Sequence, residues 1–493
     1  MTIPFKQIPQ NLRVPLFYAE LDNSRANTSQ QNQRALIIGQ ITSTGIATPN
    51  VPIISQGASD AITQGGANSM LALMTAAYRA NDTFGEVWYL PLSDAGGAVA
   101  ATGTIAFTGA ATAGGTLALY IAGQSVPVVV TSGMTTAQLA TAVAAAINAI
   151  ASIPATAAAA TGTVTLTADN KGLAGNDIDI RVNYYGAANG EVTPAGVAFT
   201  ITAMANGATN PTLTTALGNL LDMPFDFIVS PYTDTASLTA MQSFLNDSTG
   251  RWSWQQQVYG HVFMAYRGTF GTQTTFGVTR NNQHETVMGF NDSPTPSWVW
   301  AASVAGAAAV SLRADPALPL QTVQIQGVMA PPLQSRFNLS QRNTLLYDGI
   351  STFTVAQDGT VAIENLITTY QLNGFGQPDD SYLEVETLFT LTYLLRDYAS
   401  LVTSKYARVK LAADGTRFAP GSNIVTPSVI KADIIARFQE QEFDGYVQNS
   451  QAFAQALIVE QNPTNPNRID VLWPGTLIDQ LRIFALLGQF RLS

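Results

Sequence analysis

RALIIG, Arg34 to Gly39, runs apolar from Ala35 to Ile38 with no polar residue between. Such a run leaves no face for water, which is the pattern of a strand covered on both sides in a parallel sheet. Toward the carboxy terminus, Asn68 to Arg79 reads as a helix and FDFIVS, Phe225 to Ser230, as a second buried strand. Ser237 to Asn246 then reads as a helix and Val258 to Tyr266 as a third strand. Strands alternating with helices predict an α/β core. The apolar stretch WVWAASVAGAAAVSL, Trp298 to Leu312, is too short for the roughly 20 residues that span a bilayer, and reads as a buried helix.

The core is interrupted. Composition shifts near Ala95 and again near Asn206, and between them Ala, Gly and Thr dominate and tryptophan is absent. Leu117, Leu119 and Ile121 alternate, Gly123 and Gln124 turn the chain, and Val126 to Val130 returns as a strand. Thr136 to Ala151 carries Leu139, Val143, Ile147 and Ile150 on one helical face, and strands follow at Thr163 to Thr167 and Ile178 to Asn183. This segment is expected to be an inserted α+β domain. Beyond the core strands, Phe353 to Ile363 turns at Asp358-Gly359 as a hairpin. Leu388, Leu391, Leu395, Tyr398 and Val402 mark a long helix, and another opens at Thr426 with Pro427 in its first turn and Ile430, Ile434 and Phe438 on its apolar face.

Both ends read as strands on tethers. Leu12, Val14, Leu16, Phe17, Tyr18 and Leu21 form an extended run that precedes the polar stretch Asn23 to Gln33. At the other end, after Trp473-Pro474-Gly475, come Leu481, Ile483, Phe484, Leu486, Leu487, Phe490 and Leu492, with arginine only at Arg482 and Arg491. Chain ends are ordinarily polar and frayed, so a segment this apolar needs a partner. A tethered strand can add to a sheet edge in its own subunit or in a neighbour. The expected division is a 1–33 arm and linker, core at 34–94, the insert at 95–206, core again at 207–475, and a 476–493 strand arm. The fold class is α/β (α+β), multi-domain, with a mixed-sheet core and flanking helices.

The 493 residues are 46% hydrophobic and only 11% charged, well below the roughly 25% charged of soluble proteins, which suggests a surface covered by copies or partners. A net charge of −10 without a Lys/Arg cluster argues against a sequence-independent grip on nucleic acid. With no cysteine there is neither a disulfide nor a thiolate site. MTIPFKQIPQNL lacks the apolar centre of a secretory signal. His284-Glu285 has no second histidine four residues on, so the zinc-protease pattern is missing and His261 and His284 read as structural. Ser59 lacks the closing glycine of a nucleophile elbow and reads as a loop serine, and no phosphate-binding GxxxxGK[ST] occurs. Asp177 and Asp179 would share a strand face that could take a divalent cation, with a solvated face as the simpler reading; Asp379-Asp380 could be catalytic carboxylates, with favouring the following helix's dipole and cap as the simpler reading. The expectation is a non-enzyme without cofactors, metal, nucleic acid or membrane insertion.

From about Asp315 onward the sequence resembles the contractile tail sheath proteins of Mu-like myophages. The matching blocks are DPALPLQT at Asp315, RNTLLYDGISTFTVAQDGTVAIENLITTY at Arg342, PDDSYLEVETLFTLTYLLRDY at Pro378, TSKYARVKLAADGTRFAPG at Thr403 and NRIDVLWPGTLIDQLRIFALLGQFRL at Asn467. The region they mark out, Asp315 to Leu492, is more than a third of the chain. The chain departs from the resemblance at Trp473-Pro474-Gly475, where a more proline-rich turn is expected, and at Asn365, where a basic residue is expected. The resemblance implies a virion tail subunit, assembled in the host cytoplasm, that forms hexameric rings stacked helically around a tube and joined by exchanged terminal strands. It implies the tail tube, baseplate and tail terminator proteins as partners, and contraction from a metastable lattice without ATP. The arms would use Leu12, Val14, Leu16, Tyr18, Leu481, Ile483, Phe484, Leu487, Phe490 and Leu492. The helix Pro427 to Glu442 would face the tube through Lys431, Asp433, Arg437 and Glu440, against an ordinary solvated face as the simpler reading. A phage-derived contractile injection particle, a surface adhesin and an unrecognised enzyme are the rival readings.

Overall fold

The computed structural model describes residues 33–492. The amino-terminal arm residues Leu12, Val14, Leu16 and Tyr18 lie outside them. The chain opens with β1 (Ala35–Gln40), β2 (Ile53–Ile54), α1 (Ala58–Gly65), α2 (Met70–Asn81) and β3 (Val87–Leu92). It leaves this sheet for β4 (Thr102–Gly109), β5 (Gly115–Ile121), β6 (Gln124–Val130), α3 (Thr136–Asn148), β7 (Ala155–Ala160), β8 (Thr163–Ala168), β9 (Ile180–Val182) and β10 (Ala198–Ala205). After α4 (Thr214–Gly218) it returns with β11 (Phe227–Val229), α5 (Thr235–Leu245), β12 (His261–Arg267), α6 (Phe270–Gly277), β13 (Glu285–Phe290) and α7 (Ser297–Ala314).

These strands make a six-stranded sheet in the order β13-β12-β11-β1-β3-β2. All neighbours are parallel except β2, which runs antiparallel to β3. RALIIG supplies its middle, with Ala35 to Ile38 wholly buried. The Trp298 run is buried nearly all round as α7, as a helix apolar on every side should be. It lies close to α2: a Cβ on Gly306 would come within 2.6 Å of the Tyr78 carbonyl oxygen, so only glycine allows the two backbones this near.

A second hydrophobic core consists entirely of residues between Ala101 and Met204. It joins an antiparallel four-stranded sheet, β10-β4-β8-β7, a three-stranded sheet, β6-β5-β9, and α3. α3 starts with a capping box in which Thr135 and Gln138 satisfy each other's backbone N–H groups. This segment is fastened to the first sheet by polar contacts. Asn170 accepts from the Met70 N–H at 2.9 Å and donates to the Ile41 carbonyl, while Arg267 grips Asp177 at 2.6 Å. Asp177 therefore lies in a short 3-10 turn before β9, and Asp179 pairs with Arg181. The shared strand face expected for these two carboxylates is not formed.

The remainder contains α8 (Leu339–Tyr347), the hairpin β14 (Thr352–Val355) and β15 (Val361–Asn365), and α9 (Val385–Tyr406). Then follow β16 (Lys410–Leu411), β17 (Ile424–Val425), α10 (Pro427–Phe443), β18 (Val447–Gln448) and α11 (Ser450–Ala456). The last elements are β19 (Ile458–Gln461), β20 (Ile469–Leu472) and β21 (Thr476–Leu477). A third core of Leu394, Val425, Ile430, Ile434, Phe438, Val447, Phe453 and Leu457 holds α9, α10 and α11 together. Its centre is Phe438 stacked on Phe453 with ring centroids 3.8 Å apart. α9 is also locked to the first sheet: Phe389 stacks on Phe227 at 5.0 Å, and Arg396 reaches buried Asp226 at 2.5 Å. Ser59 sits in the first turn of α1, not in a loop. Thr426 makes no capping bond to α10 through its side chain; Asp414 accepts from the Ser428 N–H instead.

Candidate assembly interface

The carboxy-terminal arm leaves the body in steps. Trp473 packs among Tyr398, Phe438 and Phe453, and its indole N–H donates to the Tyr398 hydroxyl at 3.0 Å. β21 pairs antiparallel with β18, Ile478 donates to the Tyr446 carbonyl, and Gln480 donates to the Ala317 carbonyl at 2.9 Å. Arg482 turns inward to Glu384 and Glu386. On either side of it the apolar side chains have no cover. Leu481, Ile483, Phe484, Leu486, Leu487, Phe490 and Leu492 are 70–89% exposed. The expected strand over 476–493 is thus reduced to the two residues of β21, and 478–492 carry no regular secondary structure. A ladder needs a second strand, and among the described residues this segment meets none.

A surface suited to such a strand lies on the same chain. β19 and β20 pair only with each other, Ile458 opposite Leu472 and Gln461 opposite Ile469, so among the described residues both outer edges of this hairpin are open. An isolated two-stranded hairpin is only marginally stable in water and gains from further strands. Beside it runs an apolar groove of about 750 Å³, walled by Leu391, Leu395 and Val402 of α9, Ile434 of α10, and Ile469 and Val471 of β20. The exposure of Leu395 at 47% and Val402 at 54% follows from this, because one flank of α9 faces the groove and not the protein interior. The arm departs past Ala317 and Glu384 at the amino-terminal end of α9, whereas the groove follows that helix as far as Tyr406.

The four candidate tube-facing residues of α10 are not equivalent. Arg437 forms a bidentate ion pair with Asp397 of α9 and a second pair with Glu440 at 2.7 Å. Asp433 receives Lys405 at 3.1 Å and the Tyr406 hydroxyl. Three of the four are therefore engaged within the chain, mostly in fastening α10 to α9. Lys431, half-buried at its base, is the one among them without an ion pair in the described residues. The hydrogen bonds from Arg437 to Asp397 and Glu440, with the attraction of their charges, raise its guanidinium further above the usual range, so Arg437 is charged at any ordinary pH.

His261, His284 and Asp379 are each engaged within the fold. His261 is buried with Nε2 2.8 Å from the Thr286 hydroxyl, and burial pushes its imidazole well below the usual range, so it is neutral at pH 7. His284 stacks on Trp252 at 4.5 Å and contacts Asp247 at 2.8 Å. Asp379 accepts from the Ser381 N–H and the Tyr370 hydroxyl, which closes a turn ahead of α9, while Glu384 occupies the helix cap. Burial and the Asp379 carboxylate push the Tyr370 hydroxyl up to about 12. Among the described residues no three His, Cys, Asp or Glu side chains are grouped to hold a metal, and no helix is long and apolar enough to cross a membrane. Asn365, where a basic residue was expected, ends β15 beside Glu384, and the cation there is Arg482.

Sequence reasoning did not find the β19–β20 hairpin or the groove. The hairpin has a local signal in the Asn/Pro-rich turn Asn462 to Asn467 between apolar runs. The groove has none, since Leu391 and Val471 meet only through the tertiary fold.

Residues 206–369 match the phage tail sheath protein central domain and residues 377–491 the phage tail sheath C-terminal domain. The Mu-like prophage FluMu tail sheath protein of Haemophilus influenzae is 40% identical over 492 residues, which is 99% of this chain and 100% of that protein. Among solved structures, the sheath tail protein of Desulfitobacterium hafniense aligns at 13% identity over 95% of this chain and 97% of its own, with a TM-score of 0.49. The sheath tail protein of Listeria innocua aligns at 13% identity over 91% and 92%, with a TM-score of 0.48.

Proposed function

This chain belongs to the phage tail sheath protein family, and from that premise we propose that it is a contractile sheath subunit whose carboxy-terminal arm links it to a neighbouring copy. The observation that carries the reading is the row of seven exposed large apolar side chains from Leu481 to Leu492 on a chain that also bears an open hairpin and an apolar groove. The occupant of the groove and hairpin edge is the arm of a second copy, because that segment has the length and the exposed apolar side chains the site requires. Each buried side chain contributes roughly 1.5–3 kcal/mol, against about 1–2 kcal/mol per residue for ordering the arm, so a single link is weak. Ladder hydrogen bonds add about 1 kcal/mol each, and repetition through a lattice makes the sum decisive.

In this account the subunits form hexameric rings around a tail tube, with baseplate and tail terminator proteins at the two ends, in a virion tail assembled in the host cytoplasm. Arms on linkers keep neighbours joined while the cores slide, so contraction needs no enzyme activity. The same architecture would serve a phage-derived injection particle. Electron microscopy tests the link with full-length chain beside a chain ending at Arg482, which keeps β21 and the Arg482 ion pairs. Tubes or rings from the first and folded monomers from the second support it; equal assembly by both overturns it.

A further inference from the structure

The arm's first residues invert the ordinary rule that apolar side chains turn in and charged ones out. Leu481 and Ile483 are 70% and 84% exposed, yet the charged side chain between them is turned inside, with Arg482 only 16% exposed. Its Nη2 lies 2.9 Å from Glu386 Oε1 and 3.0 Å from Glu384 Oε2. Glu386 is wholly buried, and its Oε1 also accepts the Leu320 N–H at 2.7 Å. Gln321 adds a bond to the Leu481 carbonyl at 3.2 Å, and Gln480 one to the Ala317 carbonyl. The segment 480–482 is thus held from two sides, by the first turn of α9 and by the loop from Asp315 to Gln321.

Two carboxylates share one guanidinium, and emptying the socket would leave Glu386, at 0% exposure, and Glu384, at 21%, without a cation. Such a pair is strongly penalised when its partner is removed. Arg482 is also the only charged residue between Asp479 and Arg491. The socket therefore holds the arm at one point, two residues ahead of Phe484, and no other charge follows before Arg491.

We propose that Arg482 is a positioning residue: seated on Glu384 and Glu386, it aims the carboxy-terminal arm and carries load on the arm into α9 and the 315–321 loop. The inference rests on the reading of the arm as an intersubunit link, and its test is independent of assembly. Because the chain has no cysteine, Ser400→Cys on the exposed side of α9 and Phe484→Cys in the arm give two unique spin-label sites. Distances between them are measured in full-length subunits diluted with unlabelled protein. With Arg482 intact the distribution is narrow. Arg482→Gln broadens it at least about twofold, as a freed segment samples coil-like separations, and the Leu320 amide exchanges about tenfold faster as Glu386 is released. Arg482→Lys, which keeps a cation in the socket, stays narrow. An unchanged width in Arg482→Gln overturns the proposal, as does a lysine variant as broad as the glutamine one. Failure of the arm to enter a neighbour would leave these distances as they are and would show only in assembly.

Discussion

Replacing Arg396 with methionine should uncouple α9 from the central sheet, because it strands a buried charge. Asp226, just ahead of β11, is 2% exposed and receives Arg396 Nη1 at 2.5 Å, with a longer bond from the Arg34 N–H at 3.3 Å. Burial already holds the Asp226 carboxyl above its usual range, and the Arg396 charge is the main force opposing that rise. Breaking a buried pair by removing one partner costs about 3–5 kcal/mol, so Arg396→Met should lose that much local stability at pH 8. The sign of the pH dependence follows from the raised carboxyl. The folded form binds the proton more tightly than the unfolded one, so stability falls as pH rises from the unfolded value, about 3.9, through the folded one, and is flat above it. Without Arg396 the folded value climbs further, and each pH unit lowered within the window recovers about 1.4 kcal/mol. Arg396 also donates to the Val258 carbonyl and lies over the Tyr259 ring, so the double variant Arg396→Met/Asp226→Asn is needed to isolate the charge. It should regain at least about 2 kcal/mol relative to Arg396→Met alone. Hydrogen exchange in β11 and α9 is the suitable assay, since a chain with three separate cores need not unfold in one step. A cost under about 1 kcal/mol that does not change between pH 5 and 8 would refute the reasoning.

Phe438→Ala removes the ring stacked on Phe453 at the centre of the third core and should cost about 3–5 kcal/mol, seen as early melting of α10 and α11 by hydrogen exchange while β1 and β12 stay protected. Lys431→Glu tests the tube-facing reading of α10 without touching the Arg437–Asp397 pair. Assembly on a tail tube should weaken with folding intact, and unchanged assembly would mean that this face looks elsewhere.

The fold class was readable because its main elements announce themselves locally. The unbroken Ala35–Ile38 run could only be a covered strand, and Asp358-Gly359 marks a hairpin whose strands do pair, Phe353 opposite Ile363. The apolar run Trp298 to Leu312 lies within α7, Ser297–Ala314, to within two residues at either end. Ion pairs were not readable. Arg437 meets Asp397 from 40 residues away, and Arg396 meets Asp226 from 170. No spacing rule connects residues that only the packing of separate elements brings together. Hence the charges of α10, which look like a free polar stripe in sequence, are largely spent on α9. The apolar end was legible as unpartnered, but its strand character was not, because a strand is a property of two segments and among the described residues this one meets no second strand. Arg482 stands out in sequence only as one of two arginines in the apolar run, since nothing there marks Glu384 and Glu386 as its seat.

The most direct test of the central claim is a crosslink between mixed subunits. One population carries a single cysteine in the arm, at Phe484, Leu487 or Phe490 in turn, and the other a single cysteine at Val471 on the hairpin beside the groove. The chain has no cysteine of its own, so a short bis-maleimide can join only these positions. The account predicts a crosslinked dimer when the two populations are assembled together, and none from either alone. No dimer in the mixture, with an internal crosslink forming when both cysteines are placed on one chain, would show that the arm folds onto its own subunit and would contradict the account.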